Sequence, residues 1–374
     1  MKKITSADFA PEMLECNYYD LDKYMTPFWK GNIVYNEAVF PITDENGIIL
    51  PLGLMYEPTE IISVKDYTLT RTYKEGRDYA LTDGKLTVIP TGQICPHHHS
   101  AIHPRLNPHD LPFEILYPHA DAKGFDYWSE SNEISLCYLS VTYIHNDTWH
   151  SITPESIREK LPRTAARLEC GEPFTVSAIG DSVTAGAKSS RSSNLAPFVD
   201  AYPEMTVKAL ERKYGSKIEF HNRAVGGTLS TFYLDKVNDT VIQYSPDLVI
   251  IAYGMNDSSH ERHGLTNEEF EKNIREHISY IKEKLPEAEV LLIASVYGNR
   301  TTFPEERYES HAGILKKIAS DTEGVALCDP FNIEKILLDD GRKKFIDFMA
   351  DNMVHPNDYG MRLIAQTIVE AFAK

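Results

Sequence analysis

Two kinds of hydrophobic pattern divide the chain. From residue 174 onward, short unbroken apolar runs alternate with stretches whose apolar residues recur every three or four positions. The runs FTVSAIG (174–180), KIEFHN (217–222), PDLVIIAYG (246–254), EVLLIASV (289–296) and VALCD (325–329) read as strands. AYPEMTVKALERKYG (201–215), TNEEFEKNIREHISYIKEKLP (266–286) and a final stretch at 358–373 read as helices, with a further helix ahead of VALCD. Thr266 followed by Glu269 forms the capping box that starts the second of these. Continuous apolar strands between helices are what a parallel sheet covered on both faces requires, so this half predicts a three-layer α/β/α domain.

The earlier residues carry short alternating segments broken by Gly, Pro, Asn and Asp. Their clearest element is RDYALT, then Asp83-Gly84, then KLTVIP, two alternating runs joined by a dipeptide suited to a type I′ hairpin turn. Asn46-Gly47 offers a second such turn. TPESIREKLPRTAARLE, with its Pro breaks and a short helix ending near Gly171, reads as a connector. The expected organisation is an all-β, sandwich- or jelly-roll-like accessory domain over residues 1–165 and an α/β catalytic domain over 166–374. The chain length of 374 suits two domains, and no internal repeat is visible.

Composition narrows the function classes. The hydrophobic share of 42% and charged share of 25% are ordinary for a globular protein, and no run approaches the roughly 20 apolar residues of a membrane span. MKKITSADFAPEML lacks the apolar run of a secretory signal, so a cytoplasmic location is expected. Five scattered cysteines without CxxC spacing predict reduced thiols, neither a disulfide framework nor a zinc knuckle. A net charge of −17 argues against nucleic acid or an anionic membrane as partner. It leaves oligomeric state open.

The candidate chemistry lies where the apolar strands end. Gly180-Asp181-Ser182 follows the first strand directly, with a helix expected to begin there, so Ser182 sits where open α/β sheets bind ligands and where a helix N-terminus favours negative charge. GDSVTAGAKS is not a phosphate-binding P-loop: five residues separate its glycines where four are needed, and Ala187 displaces Lys188. Nor does the chain contain GxSxG, so the nucleophile elbow of the α/β-hydrolases is not encoded. Arg223 to Thr228 form a small-residue turn after the second strand, able to present backbone N–H groups. Gly254-Met255-Asn256-Asp257 places an amide at the end of the third. Val354-His355-Pro356 puts an imidazole on a loop, because Pro356 restricts His355 towards extended backbone.

Taken in order, GDSVTAG, NRAVGGT, GMND and VHPND resemble the four blocks of the SGNH (GDSL-like) hydrolase family, over some 200 residues from 174 on. The resemblance implies Ser182 as nucleophile, His355 as general base, and an oxyanion hole formed by the N–H groups of Ser182 and Gly227 with the Asn256 side chain. It implies no cofactor and no metal. A hydroxyl needs a neighbouring base to become a nucleophile, and imidazole serves near neutral pH. The family usually carries its orienting carboxylate three residues before the histidine, but here Asn352 holds that position and Asp351 lies four before. Either Asp351 reaches the imidazole through a one-residue bulge, or a backbone carbonyl holds it in a Ser–His dyad. The sequence leans slightly to the dyad.

A β domain joined to an SGNH domain also resembles carbohydrate esterases that remove acetyl groups, so the expected partner is a small-molecule or oligosaccharide ester. A lipid or thioester acyl hydrolase and a non-catalytic glycan-binding protein are the alternatives. Trp29, Tyr127, Trp128 and Trp149 are aromatic candidates for stacking on sugars, although burial in the core is the commoner fate of such residues. Histidines 97, 98, 99, 103, 109 and 119 crowd one Pro-rich segment but lack the companions of a defined metal site. His260 and His263 lack HExxH spacing.

Overall fold

The computed structural model describes residues 18–97, 116–118, 125–127, 132–234, 240–258, 264–300 and 302–373; for 116–118, 125–127 and 133 only the backbone is described. Cys16, Trp128, His98, His99, His103, His109, His119, His260 and His263 lie outside the described residues, as does the Tyr127 side chain. Two compact units emerge, and they interleave along the sequence. The first comprises Met1–Ser151, Lys188–Asp200 and Leu337–Arg362; the second comprises Ile152–Ala187, Ala201–Ile336 and Leu363–Lys374.

The first unit is built on antiparallel sheet. Strands β1 (Ile33–Val39), β2 (Pro58–Asp66), β3 (Thr72–Tyr73) and β8 (Leu139–His145) form one sheet in the order β1-β8-β2-β3. Two hairpins accompany it, β4 (Tyr79–Thr82) with β5 (Lys85–Val88) and β6 (Leu116–Pro118) with β7 (Phe125–Tyr127), along with the short helices α1 (Leu21–Tyr24) and α2 (Glu133–Leu136). Thr82 pairs with Lys85, and Asp83 and Gly84 both have positive φ (50° and 71°), the two-residue I′ turn expected of that dipeptide. Asn46-Gly47 is different: only Gly47 is left-handed, and Asp44 Oδ1 closes a wider loop by accepting the N–H groups of Asn46 and Ile48.

Strand β1 breaks its own alternation. The register shifts between Val34 and Glu37, and Asn36 takes φ 47° while its N–H and side-chain amide bond the Thr142 and Ser140 hydroxyls. Such a bulge re-aims the residues after it. Val34, Glu37 and Val39 consequently all face inward. Phe40, Ile42, Tyr67, Ile134, Tyr138 and Ile346 form an apolar cluster of this unit.

The second unit is a parallel sheet with helices. Helix α3 (Pro162–Cys170) precedes strands β9 (Phe174–Gly180), β10 (Ile218–Asn222), β11 (Leu248–Ala252), β12 (Glu289–Ile293) and β13 (Val325–Cys328), ordered β10-β9-β11-β12-β13. Every residue of β11 and β12 is buried, because helices cover both faces. Between the strands lie α4 (Tyr202–Tyr214), α5 (Met255–Ser258), α6 (Asn267–Lys284) and α7 (Glu305–Asp321). Two further helices, α8 (Pro330–Asp339) and α9 (Asp358–Ala373), have their residues divided between the two units. The Thr266–Glu269 capping box is formed at the start of α6.

Helix α3 starts at a proline with no side-chain cap of its own. Glu289, buried at the first position of β12, supplies one by accepting the N–H groups of Arg163 and Thr164 at 2.9 and 2.8 Å. The strand order reverses direction at β9, whose successors β10 and β11 lie on opposite sides of it. In open α/β sheets that reversal, at the carboxyl ends of the strands, is where ligands bind. Among the described residues no helix is long and apolar enough to cross a membrane.

Candidate active site

Ser182, Gly227 and Asn256 belong to the second unit, and Asp351 and His355 to the first. In the second unit the three residues follow the ends of β9, β10 and β11: β9 and β11 stop level, Ala252 pairing with Gly180, and β10 stops two residues earlier, Asn222 pairing with Ala178. Gly180 is required at the end of β9, since a Cβ there would lie 2.4 Å from the Ala252 carbonyl oxygen. After it, Asp181 turns its carboxylate inward. One oxygen accepts the Val183 N–H at 3.0 Å and the other the Met255 N–H at 3.3 Å, which ties the serine turn to the Asn256 turn. The helix expected to begin at Ser182 is not formed: residues 181–188 make successive turns, and the next regular helix is α4.

Beyond β10 the chain continues alongside β9, with the Arg223 and Val225 N–H groups donating to Ala178 and Gly180. Asn222 fixes this passage. Its side-chain nitrogen donates to the Thr184 carbonyl at 2.8 Å and its oxygen accepts the Ala224 N–H at 3.1 Å. Gly226 then passes so close that a Cβ on it would lie 3.6 Å from that of Ser182, and Gly227 takes φ 76°, a conformation glycine adopts without strain. The Asn256 side-chain nitrogen donates to the Thr228 carbonyl at 2.9 Å, which links the glycine turn to the start of α5.

A buried polar group under these turns was not singled out from the sequence. Ser230 is fully buried; its N–H donates to Asp257 at 2.9 Å, its carbonyl lies 2.8 Å from His277 Nε2, and its hydroxyl accepts from Asn273. Burial raises the Asp257 pKa, opposed by its hydrogen bonds to Ser230. Burial also lowers that of His277. A signal did exist: Asn273 and His277 interrupt the face of α6 that otherwise buries Phe270, Ile274, Ile278 and Ile281.

In the first unit, the loop before α9 carries the histidine. His355 Nδ1 lies 2.5 Å from Asp351 Oδ2, while Asp351 Oδ1 accepts the N–H groups of Met353, Val354 and His355 at 2.9–3.1 Å. Asn352 takes φ 62°, and this left-handed residue is the extra one that lets a carboxylate four positions upstream reach the ring. The group meeting Nδ1 is therefore a carboxylate, where the sequence leaned to a backbone carbonyl. Burial alone would raise the Asp351 pKa, but the hydrogen bond and charge of His355 and the backbone N–H groups outweigh it and hold the carboxyl below its usual range.

The other sequence candidates find ordinary places. Trp29 and Trp149 pack edge-on against buried Phe28, at 81° and 84°, and the Arg342 guanidinium lies over the Trp149 ring. The His97 ring packs near Phe40. Among the described residues no group of three His, Cys, Asp or Glu side chains is placed to hold a metal ion.

The family model described as GDSL-like Lipase/Acylhydrolase matches residues 178–363. Among solved structures, a two-domain esterase (CEX) active on acetylated mannans, co-crystallised with mannopentaose, matches at 22% identity over 59% of this chain and 54% of its own, with a TM-score of 0.45. The chain thus spans about half the length of that esterase. A lipase/acylhydrolase from Enterococcus faecalis matches at 21% identity over 53% of this chain and 94% of its own, TM-score 0.42. A catalytic mutant of Axe2, an acetylxylan esterase from Geobacillus stearothermophilus, matches at 20% identity over 53% and 94%, TM-score 0.44. A search of curated proteins found no match.

Proposed function

We propose that this chain, which belongs to the GDSL-like lipase/acylhydrolase family through residues 178–363, is a serine esterase that removes small acyl groups, acetyl above all, from carbohydrates. The observation that carries the reading is the Asp351 carboxylate on His355 Nδ1. A carboxylate there keeps the proton on Nδ1 and makes Nε2 the basic nitrogen, the tautomer that general-base catalysis needs.

In the proposed reaction the Ser182 hydroxyl attacks the ester carbonyl as its proton passes to His355 Nε2. The resulting oxyanion is met by the Ser182 and Gly227 N–H groups and the Asn256 amide. Collapse of the tetrahedral intermediate breaks the bond to the sugar oxygen, which leaves with the electron pair and takes the proton from the imidazolium to become a hydroxyl. Water, deprotonated by the same nitrogen, then releases the acyl group from Ser182. No step calls for a cofactor. The preference for acetyl on carbohydrate follows the two-part arrangement read in the sequence.

The test is hydrolysis of p-nitrophenyl esters by wild type and Ser182→Ala, followed by mass spectrometry of acetate release from a panel of acetylated oligosaccharides. Loss of activity in the variant, with acetyl preferred over octanoyl, is expected. Equal activity in both proteins refutes the nucleophile, and a preference for octanoyl shifts the substrate to lipid.

A further inference from the structure

The segment that carries His355 is fastened, within the first unit, to the antiparallel sheet by buried polar contacts. Lys343 and Glu37 are both fully buried, and the ammonium lies 2.8 Å from the Glu37 carboxylate. The same ammonium donates to the Ala38 and Gly53 carbonyls at 2.9 and 3.0 Å. Glu37 accepts in turn the Met55 N–H at 2.8 Å and the Tyr143 hydroxyl at 2.7 Å. The pair is thus fully satisfied, the condition under which a buried ion pair fixes one geometry.

Further fastenings follow along the same segment. The Phe40 N–H donates to Asp347 at 3.1 Å, and the Asn357 amide donates to the Asp347 carbonyl at 2.9 Å. The Tyr138 hydroxyl meets the carbonyls of both Ile346 and Met349. Met349 bridges Pro356, and the Ala350 N–H donates to the His355 carbonyl at 2.8 Å. All of these contacts involve the stretch from Lys343 to Asn357, which brackets Asp351 and His355; some are internal to it, and the others anchor it to β1, the residues just after it, Gly53 and the entry to β8.

We infer that the antiparallel sheet of the first unit is the scaffold that aims the Asp351–His355 pair, with Glu37, Lys343 and Tyr138 as positioning residues for the general base. This assigns the N-terminal strands a part in turnover itself. The inference rests on the reading of His355 as the base. Its chemistry is indirect: none of the three touches substrate, and each acts by restricting the backbone from which the imidazole projects.

The experiment uses the full chain and three variants: Tyr138→Phe, Glu37→Gln, and Val325→Ala at a buried position of β13 in the second unit, as a destabilised control outside the anchoring sheet. With p-nitrophenyl acetate, kcat falls on the order of 10- to 100-fold in Tyr138→Phe and Glu37→Gln, the cost of a small misplacement of a reacting group, while KM stays near wild type. The far-downfield proton resonance of the imidazole Nδ1–H held by Asp351 shifts or disappears in both. Val325→Ala keeps kcat and that resonance. If Glu37→Gln does not fold, Tyr138→Phe still decides. Wild-type kcat and an unchanged resonance in folded Tyr138→Phe overturn the inference while leaving the esterase reading standing. Full activity in His355→Ala removes the base itself, and the inference falls with it.

Discussion

Replacing Asp351 by Asn separates the two tasks of one carboxylate. Oδ1 accepts three backbone N–H groups and holds the loop, whereas Oδ2 meets His355 Nδ1. An Asn side chain keeps an oxygen for the three N–H groups and turns its NH₂ towards Nδ1. A donor facing Nδ1 enforces the opposite tautomer, with the proton on Nε2, where the serine proton has to go. In a protease triad the equivalent change lowers kcat by about 10⁴, or roughly 5.5 kcal/mol in the barrier. Asp351→Ala additionally leaves three backbone donors without their acceptor, at about 1 kcal/mol each. The expectation is that Asp351→Asn loses about four orders of magnitude in kcat with little change in Tm, whereas Asp351→Ala loses both turnover and several degrees. Stopped assays with p-nitrophenyl acetate and thermal unfolding of the two proteins measure this. A kcat for Asp351→Asn within tenfold of wild type refutes the carboxylate as the orienting group and restores the dyad.

Three further outcomes are expected. Asn256→Ala removes a donor to the oxyanion and lowers kcat about 10²- to 10³-fold with KM and Tm nearly unchanged; steady-state kinetics beside a melting curve suffice. Gly180→Ala forces a methyl onto the Ala252 carbonyl oxygen, 2.4 Å away, and gives a protein that unfolds well below the wild-type temperature or fails to fold; an unchanged melting curve contradicts the close approach. Glu334 is fully buried, its carboxylate accepts the Tyr297 N–H at 2.7 Å, and burial raises its pKa to about 8. A carboxyl that binds its proton more tightly in the folded state loses stability as pH rises from the unfolded value of about 4.3 to the folded one. Wild type therefore weakens relative to Glu334→Gln between about pH 5 and 8, and parallel denaturation curves for the two proteins across that range count against the shift.

The parallel sheet was legible because its inner strands are buried on both faces, as LVIIA and EVLLI show, whereas β10 at the edge buries only Ile218; Ser182, Gly227 and Asn256 follow the ends of β9, β10 and β11. The capping box at Thr266 and the Asp83-Gly84 turn are local chemistry, and local chemistry survives in sequence. Long-range pairings do not. Glu37 stands in a stretch whose alternation points Asn36 inward, and only the bulge at Asn36 exchanges them. Its partner Lys343 lies 306 residues away, where nothing in composition or periodicity marks it. The Asp351–His355 contact failed to show for a related reason: the spacing pattern counts residues, while the loop gains one by letting Asn352 adopt a left-handed backbone.

The interleaving of the two units bears on how such a chain can be taken apart or recombined. A cut at the change of composition near residue 165 looks like a natural seam, yet it separates Lys343 from Glu37, Phe40 from Asp347 and Tyr138 from Ile346. A fragment starting there keeps Ser182 but leaves the Lys343 ammonium only one of its two carboxylate partners, Asp347 at 3.5 Å, and leaves the histidine loop stripped of its contacts to β1. The N-terminal strands are thus not a detachable module that can be grafted on, exchanged or lost independently. Any lineage or design that alters them has to re-solve the footing of the histidine at the same time.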